Sequence, residues 1–200
     1  MRKVNYKIKI AIIGKEPKAR QNILNFLKTN TIDKRVEISD NPIFQIIHRF
    51  IPIKIHVKLY ETMNAMSSEI ESNENFDFIF LLLNIYVDDS LNNYEKELYD
   101  ELCSKINFRG SSLLIALDVN SIKNDFPNDE IRISRHRLIR KCNELDLEYC
   151  FEISDPSEDL NELFKKILDD SLIKFKISNP ELYEKAKEFG MILSEKVEKI

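Results

Sequence analysis

The stretch KIKIAIIGKEPKARQNILNFLK (residues 7–28) decides the fold. Its first half, KIKIAII (7–13), is a short isoleucine-rich run ending at Gly14, as a buried strand of a parallel sheet does. The second half changes period, with Ala19, Ile23, Phe26 and Leu27 recurring at helical spacing along one stripe. A buried strand that turns at a glycine into an amphipathic helix opens a strand–helix–strand unit and predicts a parallel sheet.

Downstream the alternation continues. VEIS (36–39) and IFQIIHRFI (43–51) read as strand material broken at Asn41-Pro42. In IKIHVKLY (53–60), Ile53, Ile55, Val57 and Leu59 face one way, and Lys54, His56 and Lys58 the other. This predicts a half-exposed strand paired antiparallel with its predecessor at the sheet edge. FDFIFLLLNI (76–85) is the strongest central-strand signal, followed by a charged helix with Tyr94, Leu98, Leu102 and Ile106 along one side. SLLIALDV (112–119) is another buried strand, and residues 134–146 form a helix with the stripe Leu138, Ile139, Cys142 and Leu145. LEYCFEIS (147–154) is the last strand. The helix SEDLNELFKKILDD (157–170) has the apolar face Leu160, Leu163, Phe164, Ile167 and Leu168, with Ser157 as its expected cap.

Ser178-Asn179-Pro180-Glu181 then starts a further helix reaching about residue 199, with Leu182, Ala186, Phe189, Leu193 and Val197 on one side. That stripe needs a cover, and the expectation is that it packs back on the domain rather than on another protein. The expected division is a domain over residues 1–172 and a helical extension over 173–200.

Composition narrows the function classes. Two hundred residues with 43% hydrophobic content suit one domain with a sizeable core. Only three glycines and six prolines argue against linkers and low-complexity tracts. A net charge of −4 leaves no basic footprint for sequence-general nucleic-acid binding. Cys103, Cys142 and Cys150 have no metal-ligand spacing and are odd in number, so they read as reduced thiols in or near the core of an intracellular protein. His48, His56 and His136 are scattered and read as structural, and Asp88-Asp89 and Asp169-Asp170 as solvated helix ends. No stretch approaches the roughly 18 apolar residues of a membrane span. MRKVNYK is not a secretory signal, and the absence of cysteine after Cys150 predicts no C-terminal prenyl anchor.

Over residues 6–170 the order and spacing of these elements resemble the Ras-like small GTPase superfamily. FDFIFLLLNIYVDDSLNNYEKELYDEL, with its helix start at Ser90-Leu91, is similar to that family's fourth strand and third helix. ELDLEYCFEISDPSEDLNELFKKIL is similar to its last strand and helix. The resemblance implies an α/β, Ras-like P-loop fold. Its mostly parallel six-stranded sheet has one antiparallel edge strand and helices on both faces, and a C-terminal helix is added here.

It also implies where a guanine nucleotide would sit, and each motif there departs from the family pattern. A phosphate loop needs Gly, four residues, then Gly-Lys-Ser/Thr. Gly14 opens it, but Ala19, Arg20 and Gln21 close it. Arg20 brings a planar fork where a compact ammonium fits, and Gln21 is a poor magnesium ligand. Pro17 has no N–H to offer a phosphate oxygen. The family's Asp-x-x-Gly appears as Glu61-Thr62-Met63-Asn64, followed by Ala65 where a glutamine orients the attacking water. Asn-Lys-x-Asp aligns with Leu117-Asp118-Val119-Asn120, and Asn120 offers guanine one acceptor where two are needed. Ser154-Asp155-Pro156 stands for Ser-Ala-Lys.

Three lost charge-assisted or ligand contacts total about 5–9 kcal/mol if additive, on the order of 10³–10⁶ in affinity. The expectation is a pseudo-GTPase with no catalytic residue, no metal and no cofactor.

Among chains that keep this frame and lose its motifs, this one is most similar to the centromere protein M family of inner-kinetochore pseudo-GTPases. LLLNIYVDDSLNNYEKEL and ISRHRLIRKCNELDLEYCFEI carry that similarity. It implies a scaffold at the centromere that binds a centromere protein I-type helical-repeat subunit. Phe44, Ile47 and Phe50 are the candidate protein-binding patch, with simple burial as the competing reading. The open alternative is a divergent Ras/Rab-like GTPase of trafficking or signalling, cytoplasmic, that retains weak GTP/GDP and Mg²⁺ binding.

Overall fold

The computed structural model describes residues 6–33, 36, 41–70, 74–118 and 132–197. Six strands are present: β1 (Tyr6–Ile13), β2 (Ile43–His48), β3 (Ile51–Tyr60), β4 (Phe78–Asn84), β5 (Ser111–Leu117) and β6 (Tyr149–Ile153). They form one sheet in the order β2-β3-β1-β4-β5-β6. Among the described strands only the β2–β3 pair is antiparallel. The α/β class and the single antiparallel edge strand are those the sequence implied. Every residue of β4 and β5 is buried, because both strands are covered on both faces.

Among the described residues six α-helices flank the sheet: α1 (Pro17–Asn30), α2 (Met63–Glu69), α3 (Lys96–Lys105), α4 (Arg135–Glu144), α5 (Glu158–Ser178) and α6 (Pro180–Val197). Strand register assigns their sides. Phe80 of β4 meets Phe164 of α5 edge to face at 6.1 Å, and Phe164 stacks on Phe26 of α1 at 5.2 Å. Ile79 points the other way, and its register partner Ser112 is bonded to Tyr99 of α3. Helices α1 and α5 therefore cover one face and α3 the other.

Several local expectations are corrected. The helix after β4 is interrupted: a 3₁₀ turn spans Asp88–Asn93, Tyr94 and Glu95 break the run, and α3 starts afresh at Lys96. The break re-phases the stripe, so Tyr99 and Leu102 are buried while Leu98 is only partly covered. Ile139 is 45% exposed, outside the buried stripe of α4. Of VEIS, only Val36 lies among the described residues; it is not in a strand, and it packs partly on the core. Cys142 is buried and Cys103 half-buried, but Cys150 is exposed on the edge strand β6. Ser157 makes no side-chain cap to α5. The carboxylate of Asp155 accepts there instead, from the Ser157 and Glu158 N–H groups at 2.8 and 3.4 Å.

Helix α5 runs unbroken through residue 172 to Ser178, and Asn179 separates it from α6. Helix α6 packs back on the domain. Ala186 is fully buried, Phe189 and Leu193 are half-buried, and Tyr183 meets Phe175 of α5. Phe175 in turn stacks on Tyr6 of β1 at 4.5 Å. Asp169 and Asp170 lie inside α5, not at a solvated end. Asp169 sits 2.6 Å from both His48 and Arg49, pinning the β2–β3 turn, and Asp170 accepts from the Tyr149 hydroxyl at 2.7 Å. That turn is strained: Arg49 and Phe50 have φ of 47° and 63° without being glycine. Tertiary contacts, here the Asp169 clamp, hold it.

Candidate functional site at the carboxyl edge of the sheet

Open α/β sheets bind ligands beyond the carboxyl ends of their parallel strands, which here lead into Gly14, Glu61, Ile85, Asp118 and Ser154. At the first, the Gly14 N–H donates to the Tyr60 carbonyl at 3.0 Å. An added Cβ would lie 2.8 Å from Leu82 Cβ, so glycine is needed for the close approach of β4. Lys15 and Glu16 alone separate Gly14 from α1, which begins at Pro17. Positions that would wrap a phosphate are thus the first turn of a helix.

The amino end of α1 is already occupied by the protein's own anion. Glu16 is the N-cap, and its Oε1 accepts from the Lys18 N–H at 3.2 Å. Its Oε2 lies 3.5 Å from Asn84 Nδ2. A helix amino terminus attracts negative charge through its free N–H groups and dipole, and here a carboxylate supplies that charge. Ala19 is buried in the core. Arg20 lines a separate surface hollow with Lys58, Tyr60 and Glu69. Gln21 Nε2 donates along the helix to Asn25 Oδ1 at 2.7 Å, away from any metal position.

At the second strand end, Thr62 caps α2 by accepting from the Ala65 N–H at 3.0 Å. Glu61 and Asn64 are exposed. The cleft between these loops holds about 180 Å³ and is lined by Lys15, Glu16, Glu61, Thr62 and Asn84 among others. Small-molecule sites span roughly 300–1,000 Å³, so a nucleoside triphosphate does not fit this cleft as it stands. Two of its lining groups are carboxylates, which oppose a polyphosphate. Tyr94 closes its floor. The buried hydroxyl reaches the Ile13 carbonyl at 3.0 Å and also the Leu82 carbonyl, and burial raises its pKa well above the usual tyrosine range.

The end of β5, where the resemblance would place base recognition, is bound into protein contacts. Leu117 is buried in β5, and Asp118 accepts from the Tyr86 hydroxyl and from Arg132 Nη2, the latter at 2.8 Å. Arg132 also bridges to Glu152. Ile133 is buried and donates its N–H to the Ile85 carbonyl at 2.8 Å, laying residues 132–133 over the end of β4. Asn120 lies outside the described residues. At the last loop, the Ser154 and Asp155 N–H groups donate to Asp159 Oδ2 at 2.7 and 2.8 Å. The Ser157 hydroxyl, then the Ser157 and Glu158 N–H groups, hold the Asp155 carboxyl below its ordinary range. The backbone donors of this last loop are thus turned onto the chain's own carboxylates.

The structure therefore brings together Gly14, Glu61 and Asp118 at one edge, and turns Arg20 and Gln21 away from it. Four contributors escaped the sequence reading: Glu16, Tyr86, Tyr94 and Arg132. Only Glu16 had a local signal, a polar side chain placed to cap just before a proline at the first helical position. Among the described residues, no group of three or more His, Cys, Asp or Glu is placed to hold a metal ion.

The candidate patch Phe44, Ile47 and Phe50 does not form. Phe44 is fully buried, Ile47 projects half-buried from the opposite face of β2, and Phe50 is 51% exposed at the turn. No described helix is long and apolar enough to cross a membrane. Comparison with known proteins finds no matching family model and no curated relative.

Proposed function

We propose that this chain is a GTPase-like frame that works through protein contacts and not through nucleotide chemistry. The observation that carries the reading is the start of α1 at Pro17 under the Glu16 cap. Side-chain loss alone leaves a phosphate loop that weak binding can still use. A helix that begins at Pro17, which has no N–H, with a carboxylate already bonded to the Lys18 N–H at its amino end, places a fixed negative charge where a phosphate would sit. The Tyr86–Asp118–Arg132–Glu152 network supports the same reading at the base end. The finer proposal is a scaffold role of the inner-kinetochore kind, with a centromere protein I-type helical-repeat partner, resting on the sequence resemblance.

Titration of labelled GTP and GDP with Mg²⁺ tests the first part. No saturable binding is expected, and dissociation constants in the micromolar range or tighter would overturn it. Arg20→Lys with Gln21→Ser restores the motif chemistry but not the loop, so this double variant is also expected to stay silent. Recovery of binding by these two changes alone would show that the loop, and not the helix, governs residues 17–21. Affinity capture from the source cells tests the finer part: inner-kinetochore subunits are expected, and recovery of membrane-traffic factors alone overturns it.

A further inference from the structure

The β1–β3–β2 half of the sheet carries concentrated positive charge on the face away from α1 and α5. Register places Lys7 opposite Lys54 and Lys9 opposite His56, so all four side chains share one face at about 5 Å strand spacing. On β2, Gln45 lies opposite Lys54 and Ile43 opposite His56. Lys7 and Lys9 are exposed, Lys54 is half-buried, and Ile43 is 47% exposed.

Nearby acids are already engaged. Glu74 pairs with Lys58 at 2.7 Å, and Asp77 accepts from the Lys9 backbone N–H at 2.7 Å, its carboxylate feeling the Lys9 and Lys174 charges from beyond ion-pair distance. No carboxylate lies within ion-pair distance of the Lys7, Lys9 or Lys54 ammonium among the described residues. His56 reports the local field: burial first, then Lys7, Lys9 and Lys54, lower its pKa from the ordinary value. Its Nε2 is buried with no hydrogen-bond partner. Gathering like charges on one face of a chain of net charge −4 costs self-repulsion that these side chains do not relieve among themselves.

We infer that this face is a docking surface for an acidic segment of a partner protein, with carboxylates on Lys7, Lys9 and Lys54 and an aliphatic side chain against Ile43. Charge complementarity selects the sign, and the exposed isoleucine beside the lysines selects a protein segment. Single-stranded nucleic acid is bound by stacking bases on aromatic rings, and no exposed Phe or Tyr lies on these strands' face. Three lysines give an anionic bilayer on the order of a hundredfold preference, too little for anchoring alone. The inference shares with the scaffold reading only the need for a protein partner, and it stands or falls independently of nucleotide binding.

The test uses the full chain and three probes at low salt: a labelled glutamate-rich peptide containing leucine, phosphatidylserine vesicles and a single-stranded oligonucleotide. The peptide is expected to bind, and to weaken as salt rises. The Lys7→Glu/Lys9→Glu/Lys54→Glu variant is expected to weaken it by about tenfold or more. The Gln versions of the same three changes, which remove charge without reversing it, are expected to weaken it by a smaller factor. Lys28→Glu/Lys165→Glu/Lys185→Glu makes the same charge change elsewhere and is expected to leave binding within about twofold of the parent. Peptide affinity unchanged in both β1–β3 variants overturns the proposal. So does binding of vesicles or oligonucleotide, but not peptide, that these variants abolish.

Discussion

Replacing Gly190 with alanine separates two opposite expectations by sign. In a free helix the change stabilises by about 1 kcal/mol, because alanine is the better helix former. In α6 the added Cβ would stand 1.7 Å from the Phe50 carbonyl oxygen and 2.6 Å from its carbon. Such contacts do not occur below 3.0 Å, so helix and hairpin must part by more than an ångström. The obstacle is backbone and cannot rotate away. A gap of roughly 0.5–1 Å already forfeits a quarter to a half of the dispersion contact, so this one forfeits at least half along an interface that includes the fully buried Ala186. Overpacking of this kind costs about 1–3 kcal/mol. Set against the propensity gain, and with a clash against rigid backbone placing the cost in the upper half of that range, the net expectation is a loss of about 1–2 kcal/mol, or roughly 2–8 °C in Tm for a chain of this size. Thermal unfolding followed by circular dichroism measures it, with Glu188→Ala, an exposed neighbour, as the propensity control. Limited proteolysis of the same samples reports whether α6 has detached. An unchanged or raised Tm with α6 still protected would refute the docking of this helix on the β2–β3 turn.

Asp169→Asn removes the charge that pins His48 and Arg49, and is expected to cost about 1–2 kcal/mol, less in high salt. Urea midpoints at two salt concentrations check it, and equal stability to the parent counts against a clamp. His56 gives a pH prediction. Its folded pKa lies below the unfolded value of 6.5, so the unfolded state binds the proton first as pH falls. The stability it contributes is present above about 6.5 and declines as pH drops below that value toward the folded pKa. His56→Gln is expected to flatten this slope, and urea titrations across that window that show the same slope in both proteins would contradict the assignment.

Legibility in the sequence followed the range of the interaction. Strands β4 and β5 were readable because they lie inside the sheet and are apolar on both faces, leaving a continuous run in FIFLLLN and SLLIAL, and β1 because its second half, IAII, is buried in the same way. The edge was harder. Nothing in IFQIIHRFI separates the buried Phe44 from the exposed Phe50, because the turn between β2 and β3 stands on Arg49 and Phe50 in left-handed conformations that glycine or asparagine would have advertised. The break before α3 was hidden for a similar reason. Tyr94 leaves the helix to donate to the ends of β1 and β4, a contact made across 81 residues.

At the candidate site the sequence by itself determined which side chains occupy the positions that the resemblance assigns to phosphate, magnesium and base, since residue identity at a motif position is read directly from the chain. It determined the α/β alternation as well, because helix and strand periods are local. Only the tertiary structure decided how the groups around those positions are engaged. Glu16 covers the helix end, Arg132 ties Asp118 to Glu152, and Arg20 faces the β3 side of α1. The basic face of β1 and β3 also needed the fold. Lys7 and Lys54 are far apart in the chain and become neighbours through a parallel crossover, whose register no local pattern encodes.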